Sequence, residues 1–323
     1  MSRAVLTFDY ELFLGGDSGT ALKSIIEPTD KILKLLKENG AKAIFFVDAT
    51  YLLALKKYNS KDLELISHQL KQIIKLGSCV ELHLHPQWLD AKPNGNRWFF
   101  ESFEHYRLHS LSKEKIEQLF VDGVEILEEI TEQKVKAFRA GGWSITPFEV
   151  LEDAFSKSGI VLDMSVCPDF YKKELPMHYY DFRDVPNLEY YRFSDDVSKI
   201  DKRGKFLEIP VTTYSMFGID LAINNILKKL KKDRMFGDGK GLASANVQGN
   251  IFKRLFQTNL RRATIEGQSS YFFKKSLKKI KKRELLSYVM HPKTLSSEAL
   301  SNLEFLVQNF NTMNTEELLK EYF

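Results

Sequence analysis

Leu6-Thr7-Phe8-Asp9-Tyr10-Glu11-Leu12-Phe13-Leu14 sets two carboxylates two residues apart at the end of the first predicted strand. Side chains along a strand alternate between faces, so Thr7, Asp9 and Glu11 share one side while Ala4, Leu6 and Phe8 share the other. Two like charges converging on one face are costly unless a positive group neutralises them. By itself the pair fits a solvated strand end as well as a catalytic one. The rest of the chain decides between the two.

Downstream, short apolar runs alternate with amphipathic helical patterns, the signature of βα repetition and a mainly parallel sheet. Strands are predicted at Arg3 to Phe8, Ala43 to Val47, Cys79 to His85, Val135 to Arg139, Ile160 to Ser165, Phe206 to Val211 and Leu286 to Met290. Helices fall between them at Thr29 to Asn39, Asp62 to Leu76, Ser112 to Ile130 and Pro147 to Lys157. The last of these has Thr146 and Glu149 spaced as a capping box and Pro147 at the first helical position. Two more helices, Ser297 to Asn309 and Glu316 to Tyr322, close the chain. Seven strands in βα order predict a distorted (β/α)7 barrel, a single α/β domain over residues 1–323, with chemistry at the C-terminal strand ends.

In the strand from Cys79 to His85, Val80, Leu82 and Leu84 lie on one face and Glu81, His83 and His85 on the other. Two imidazoles on one polar face suit zinc and related divalent ions, cobalt, nickel and manganese among them. Further polar clusters stand at Phe138-Arg139-Ala140-Gly141-Gly142-Trp143, at Asp163-Met164-Ser165-Val166-Cys167-Pro168 and at Val289-Met290-His291-Pro292. The histidines outside these clusters, His68, His105, His109 and His178, read as ordinary surface or packing residues. The aromatic stretch from Pro168 to Asp196 reads as a wall over the mouth of a site.

Taken in order, these clusters resemble the polysaccharide deacetylase family, also called the NodB-homology or carbohydrate esterase family 4 group. Phe206-Leu207-Glu208-Ile209-Pro210-Val211 is similar to a Glu-Ile-Pro strand of that family. The resemblance implies that Asp9 is the general base, that Arg139 orients it, that Asp163 supports the catalytic histidine and that His291 is the general acid. It also implies a divalent metal, zinc first, held by a neighbouring acid and two histidines. Here the acid is Glu11, with Tyr10 standing between the two carboxylates where the family commonly has adjacent aspartates. The usual second histidine position, four residues after His83, holds Gln87, so His85 or Gln87 completes the set. Trp143 and Gln87 are placed at the sugar. The implied reaction is hydrolysis of an acetamide, with water losing its proton to Asp9 and the departing amine gaining one from His291.

Composition narrows the setting. With 323 residues and 43% apolar content the chain is globular, and two isolated cysteines, Cys79 and Cys167, exclude a disulfide framework. No run approaches the roughly 18 apolar residues of a membrane span. A strand beginning at Arg3 leaves no room for a leader, so a cytoplasmic enzyme is expected. Charge is uneven: from Lys228 to Arg283, 17 Lys and Arg face three acids, a local balance of +14 within a total of +4, which leaves −10 elsewhere. Such a segment, expected to be helical over about 220–284, suits phosphates of a nucleotide- or lipid-linked sugar, or an anionic membrane face. No nucleic-acid module is present. The expected function is therefore N-deacetylation of an acetamido sugar precursor for surface polysaccharide. Hydrolysis of a small cyclic amide on the same fold, and a metal-free binding or regulatory protein, are the alternatives.

Overall fold

The computed structural model describes residues 3–175, 177–241 and 255–323. Seven strands run parallel: β1 (Arg3–Tyr10), β2 (Ile44–Asp48), β3 (Cys79–Leu84), β4 (Ala137–Ala140), β5 (Leu162–Asp163), β7 (Phe206–Glu208) and β10 (Leu285–Met290), with β6 (Tyr191–Phe193) antiparallel to β7. Their order is β6-β7-β5-β4-β3-β2-β1-β10. The two ends of this curled sheet are not joined by regular pairing. Irregular bonds connect them instead: Val211 N–H donates to Val166 O at 2.8 Å, and Thr212 N–H to Ser287 O at 3.0 Å. The result is the distorted α/β barrel that the seven strand patterns predict.

Alternation fills both faces. Ala4, Leu6, Phe8 and Tyr10 pack outward against the helices, in a large cluster with Ile32, Leu36, Ile66, Leu70, Phe120 and Leu127. Val5, Ile44, Phe46, Met164, Leu207 and Ile209 form a separate cluster inside the curl, with Met313 and Leu318. Leu318 belongs to the C-terminal helix (Thr315–Tyr322), which follows a short strand paired to Arg3 and Ala4 at the N-terminal edge of the sheet. The bottom of the barrel is thus closed by apolar packing, and polar side chains gather at the top.

Two helical expectations change. The helix predicted from Pro147 begins only at Glu152, after a 3-10 turn over Phe148–Val150. Thr146 Oγ1 has no partner, so the capping box is not made, and the extended backbone at Pro147 keeps it out of the helix. A short helix, Ala49–Lys57, also follows β2; Asp48 caps it by accepting from Tyr51 N–H. The basic segment is not one helix. It holds α6 (Gly218–Leu230), strand β9 (Thr258–Arg262) paired with β8 (Thr213–Phe217), and α7 (Ser270–Ile280). Residues 242–254 of the expected helical segment lie outside the described residues.

Candidate active site

The C-terminal ends of β1, β3, β4 and β10 surround a cavity of about 360 Å³, walled among others by Asp9, Glu11, His83, His85, Trp143 and His291. Strand parity explains the convergence of the first four. Asp9 and Glu11 point into the barrel from β1, and the intervening Tyr10 points outward, where its hydroxyl donates to Gln69 Oε1 at 2.8 Å. The tyrosine between the carboxylates therefore does not separate them in space.

Glu11 Oε2 lies 3.2 Å from His83 Nε2 and 2.6 Å from His85 Nε2. One donor atom from each lies within 4.8 Å of the others, close enough to hold one ion. The ring of His83 is fixed by Nδ1 donating to the Arg139 carbonyl at 2.7 Å, which directs Nε2 at Glu11. Burial opposes charge on Glu11, but Lys293 and the two imidazoles outweigh it and hold the carboxyl well below its ordinary range. An anionic carboxylate with two imidazoles is a donor set that zinc accepts. Of the two candidates for the third donor, the structure brings His85 to Glu11. Gln87 is buried without a partner for either amide atom and does not line the cavity. Its expected place at the substrate is not met, because the chain turns into a 3-10 helix at Pro86–Leu89.

Asp9 stands on the other side of Glu11. Arg139, 1% exposed, donates through Nη1 to Asp9 Oδ1 and to Thr7 Oγ1, both at 2.7 Å, and through Nε to Met164 O at 2.9 Å. Burial would raise the Asp9 carboxyl, but Arg139, His291 and His83 together lower it below its usual value. The base position is thus kept ionised at neutral pH. Gly141 lets β4 end so close to β3, because a Cβ there would run into Leu84 O and would lie 2.8 Å from His85 Nδ1. Gly142 and Trp143 then both adopt positive φ, 61° and 64°, which turns the indole into the cavity wall. Arg262 stacks on that indole with its guanidinium carbon 5.2 Å from the ring centre.

His291 completes the ring, with Nε2 3.5 Å from Asp9 Oδ2 and 3.7 Å from Glu11 Oε1. Its Nδ1 faces both oxygens of Glu266 at 3.2 Å, and its backbone N–H also donates to Glu266. Burial would discharge this imidazole; Glu266 raises its pKa nonetheless. Asp163, the expected support, is elsewhere. Its Oδ1 accepts from Ser165 Oγ at 2.6 Å, it stands in register with Glu208 across β5 and β7, and it makes no bond to His291. Both carboxyls are raised by burial, so this neighbouring pair favours the neutral form. Its place is inside the barrel wall, with no donor directed at the cavity.

Sequence reasoning missed five wall residues, Tyr106, His178, Arg262, Glu266 and Lys293. Glu266 and Arg262 come from the basic segment. Lys293, only 12% exposed at its side chain, donates to Glu11 Oε1 at 2.8 Å and to Leu12 O at 2.9 Å. Tyr106 faces His178, with its hydroxyl 3.3 Å from Nε2, so His178 belongs to the cavity wall and not to an unrelated surface. Proximity to the His-Pro pair could have singled out Lys293, two residues beyond His291; nothing local marks the others.

Fold and cavity together define an α/β barrel with a carboxylate and histidine cluster at its upper rim. Residues 2–149, just under half of the chain, match the family described as polysaccharide deacetylase. The match includes Asp9, Glu11, His83, His85, Arg139 and Trp143, and ends before Glu266 and His291. No curated protein matches the chain. Among solved structures, one from Mycobacterium smegmatis, assigned as a polysaccharide deacetylase, is 12% identical with a TM-score of 0.50, over 98% of this chain and 88% of its own. At that identity the likeness is one of fold. A CE4 family pseudoenzyme from Bacillus anthracis is 13% identical with a TM-score of 0.44, over 99% of this chain and 66% of its own. The chain therefore spans just under two thirds of that relative. A family 4 carbohydrate esterase from Streptomyces lividans, solved with acetate, is 17% identical with a TM-score of 0.32, over 50% of this chain and 62% of its own.

Proposed function

We propose that this cavity is the active site of a metal-dependent N-deacetylase acting on an acetamido sugar, carried on a nucleotide or lipid phosphate, in surface polysaccharide biosynthesis. One observation carries the reading. Glu11, His83 and His85 offer one donor atom each within 4.8 Å, beside an aspartate that Arg139 keeps ionised. Zinc or a similar ion bound there would supply Lewis acidity and lower the pKa of water toward neutrality. The protein's own groups do the remaining work. Asp9 accepts the proton of the attacking water, and Arg139 holds the carboxylate in place while it does so. His291, oriented by Glu266, carries a proton on Nε2 to the nitrogen of the breaking amide bond. Acetate and the amino sugar leave.

Arg262 and Trp143 favour a substrate with both a sugar ring and an anionic group. The indole offers an apolar face to the ring, and the guanidinium stacked on it, which has no ion pair among the described residues, offers charge to a phosphate. A phosphate-linked precursor is made in the cytoplasm, and we place the reaction there.

A second reading has its own support. The Lys293 ammonium already neutralises Glu11, an arrangement that suits a metal-free binding protein. Acetate release from nucleotide- and lipid-linked acetamido sugars, assayed with and without chelator, separates the two. The hydrolase reading expects activity that is lost on chelation and in Asp9→Asn. Activity surviving both changes overturns the mechanism; a purified protein that takes up no divalent ion on titration favours the metal-free reading.

A further inference from the structure

The outward face of α6 carries aliphatic side chains where a solvated helix should carry polar ones. Ile219, Ile223, Ile226 and Leu230 fall at i, i+4, i+7 and i+11, a single stripe along the helix. Ile219 is 46% exposed, Ile226 57% and Leu230 74%. The opposite face is the one that packs: Asp220 pairs with Lys275 of α7 at 2.5 Å, and Asn224 bonds Gly267 O at 2.9 Å and Ser269 N at 2.8 Å. The apolar stripe is therefore not the helix's contact with its own fold. Over the 11 residue steps from Ile219 to Leu230 it extends about 16 Å.

What borders the stripe has one sign. Lys228, Lys229, Lys232 and Arg234 at its C-terminal end make no ion pair among the described residues. The one acid among them, Asp233, is turned inward, accepting from Ser296 Oγ at 2.8 Å and Glu298 N at 3.2 Å. Exposed lysines of α7 continue the charge, Lys274, Lys278 and Lys279 among them. No helix among the described residues is long and apolar enough to cross a membrane, so any lipid contact by α6 is interfacial. An apolar ridge bounded by unpaired cations is the pattern of a helix that lies in the plane of an anionic bilayer, with aliphatic side chains among the acyl chains and lysines at the headgroups.

We infer that α6 is a docking surface for anionic membrane, with Ile219, Ile223, Ile226 and Leu230 inserting and the neighbouring lysines contacting lipid phosphates. The antiparallel β8-β9 pair links this surface to the cavity: Phe217, at the start of α6, pairs with Thr258, and Arg262 of the cavity wall pairs with Thr213 at the other end. Four strand steps separate the two ends, about 14 Å. Docking would thus hold the mouth of the cavity within the length of this strand pair of the lipid surface. The ridge and its charges predict this docking whatever the cavity hydrolyses.

Co-sedimentation of the full chain with phosphatidylcholine vesicles, with and without phosphatidylglycerol, tests it. Binding is expected to the anionic vesicles alone and to weaken as salt rises. Ile226→Glu with Leu230→Glu is expected to reduce it at least about tenfold. Lys228→Gln with Lys229→Gln and Lys232→Gln leaves the ridge intact and should reduce it roughly a hundredfold at low salt. A melting curve for each variant separates lost binding from lost folding. Three outcomes overturn the inference: no binding to anionic vesicles, equal binding to both vesicle types, or ridge variants that bind like the wild type. Light scattering that shows a wild-type dimer becoming monomeric in the Ile226→Glu, Leu230→Glu variant would assign the ridge to a second copy of the chain, and would overturn it too.

Discussion

Replacing Arg139 with methionine would leave the Asp9 carboxylate buried with its strongest counter-charge gone. The methionine keeps much of the stem's volume against Phe46, whose ring centre lies 4.5 Å from the guanidinium carbon, so cavity formation is a minor part of the cost. With charge centres about 4 Å apart and an effective dielectric near 20, the lost attraction is on the order of 4 kcal/mol. That agrees with the roughly 3–5 kcal/mol seen when one partner of a buried ion pair is removed. The bonds to Thr7 Oγ1 and Met164 O add about 1–2 kcal/mol that does not depend on ionisation. The sign of the pH dependence follows from Asp9. In the wild type its folded pKa is below the unfolded one, so the pair's contribution is complete above the unfolded value and is lost as pH falls through the folded one. Without Arg139 burial dominates, the folded pKa rises above the unfolded one, and ionisation becomes a penalty that grows with pH. The difference between the proteins should therefore be largest near neutrality, shrink toward about pH 4 as the variant's penalty disappears, and reach about 1–2 kcal/mol only below the folded pKa of the wild-type Asp9. Urea denaturation in chelator, at about pH 7.5 and about pH 4, measures it as a midpoint shift at constant slope. A difference under about 1 kcal/mol at neutral pH, or one unchanged in acid, would show that Arg139 does not hold a buried charge in place.

Two further outcomes test other parts of the barrel. Glu81, whose Oε2 accepts from the backbone N–H groups of Lys136 and Ala137 at 2.8 Å each, is raised by burial to about 7. Its folded state holds a proton that the unfolded chain releases near 4.5, so stability should fall by about 3 kcal/mol as pH rises through that window. Glu81→Gln keeps an acceptor and removes the charge. Its advantage over the wild type should be absent near pH 4.5 and appear by pH 8 in thermal melts; a constant difference across that range would count against the assignment. Glu266→Gln should lower the pKa of His291 by about one unit or more in an NMR titration of the imidazole, and Asp163→Asn should leave it in place. The reverse result would restore Asp163 as the supporting carboxylate.

Several parts of this site are legible in the chain alone. Asp9, Glu11, His83 and His85 can be read there because a strand's two-residue period is a local property, and a shared face follows from spacing. The seven parallel strands follow from apolar runs for the same reason. The capping-box spacing at Thr146 misleads, because spacing does not say that Pro147 lies outside the helix. Asp163 misleads for a different reason: it is on the right strand, but its reach is taken up by Ser165, and the carboxylate at His291 comes from Glu266, 25 residues earlier in the chain. Which carboxylate meets His291 depends on how the basic segment folds back from β9, and no periodicity encodes that.

The order of strands, the faces their side chains share and the accumulation of basic charge after residue 228 are written in the amino-acid order itself. They are short-range consequences of backbone geometry and composition. That Glu266 meets His291, that Lys293 sits on Glu11, that Gln87 is withdrawn and that the aliphatic stripe of α6 points away from the core emerges only in the folded molecule. Each of those depends on contacts between segments distant in the chain, and such contacts are settled by packing around the whole barrel and not by any local pattern.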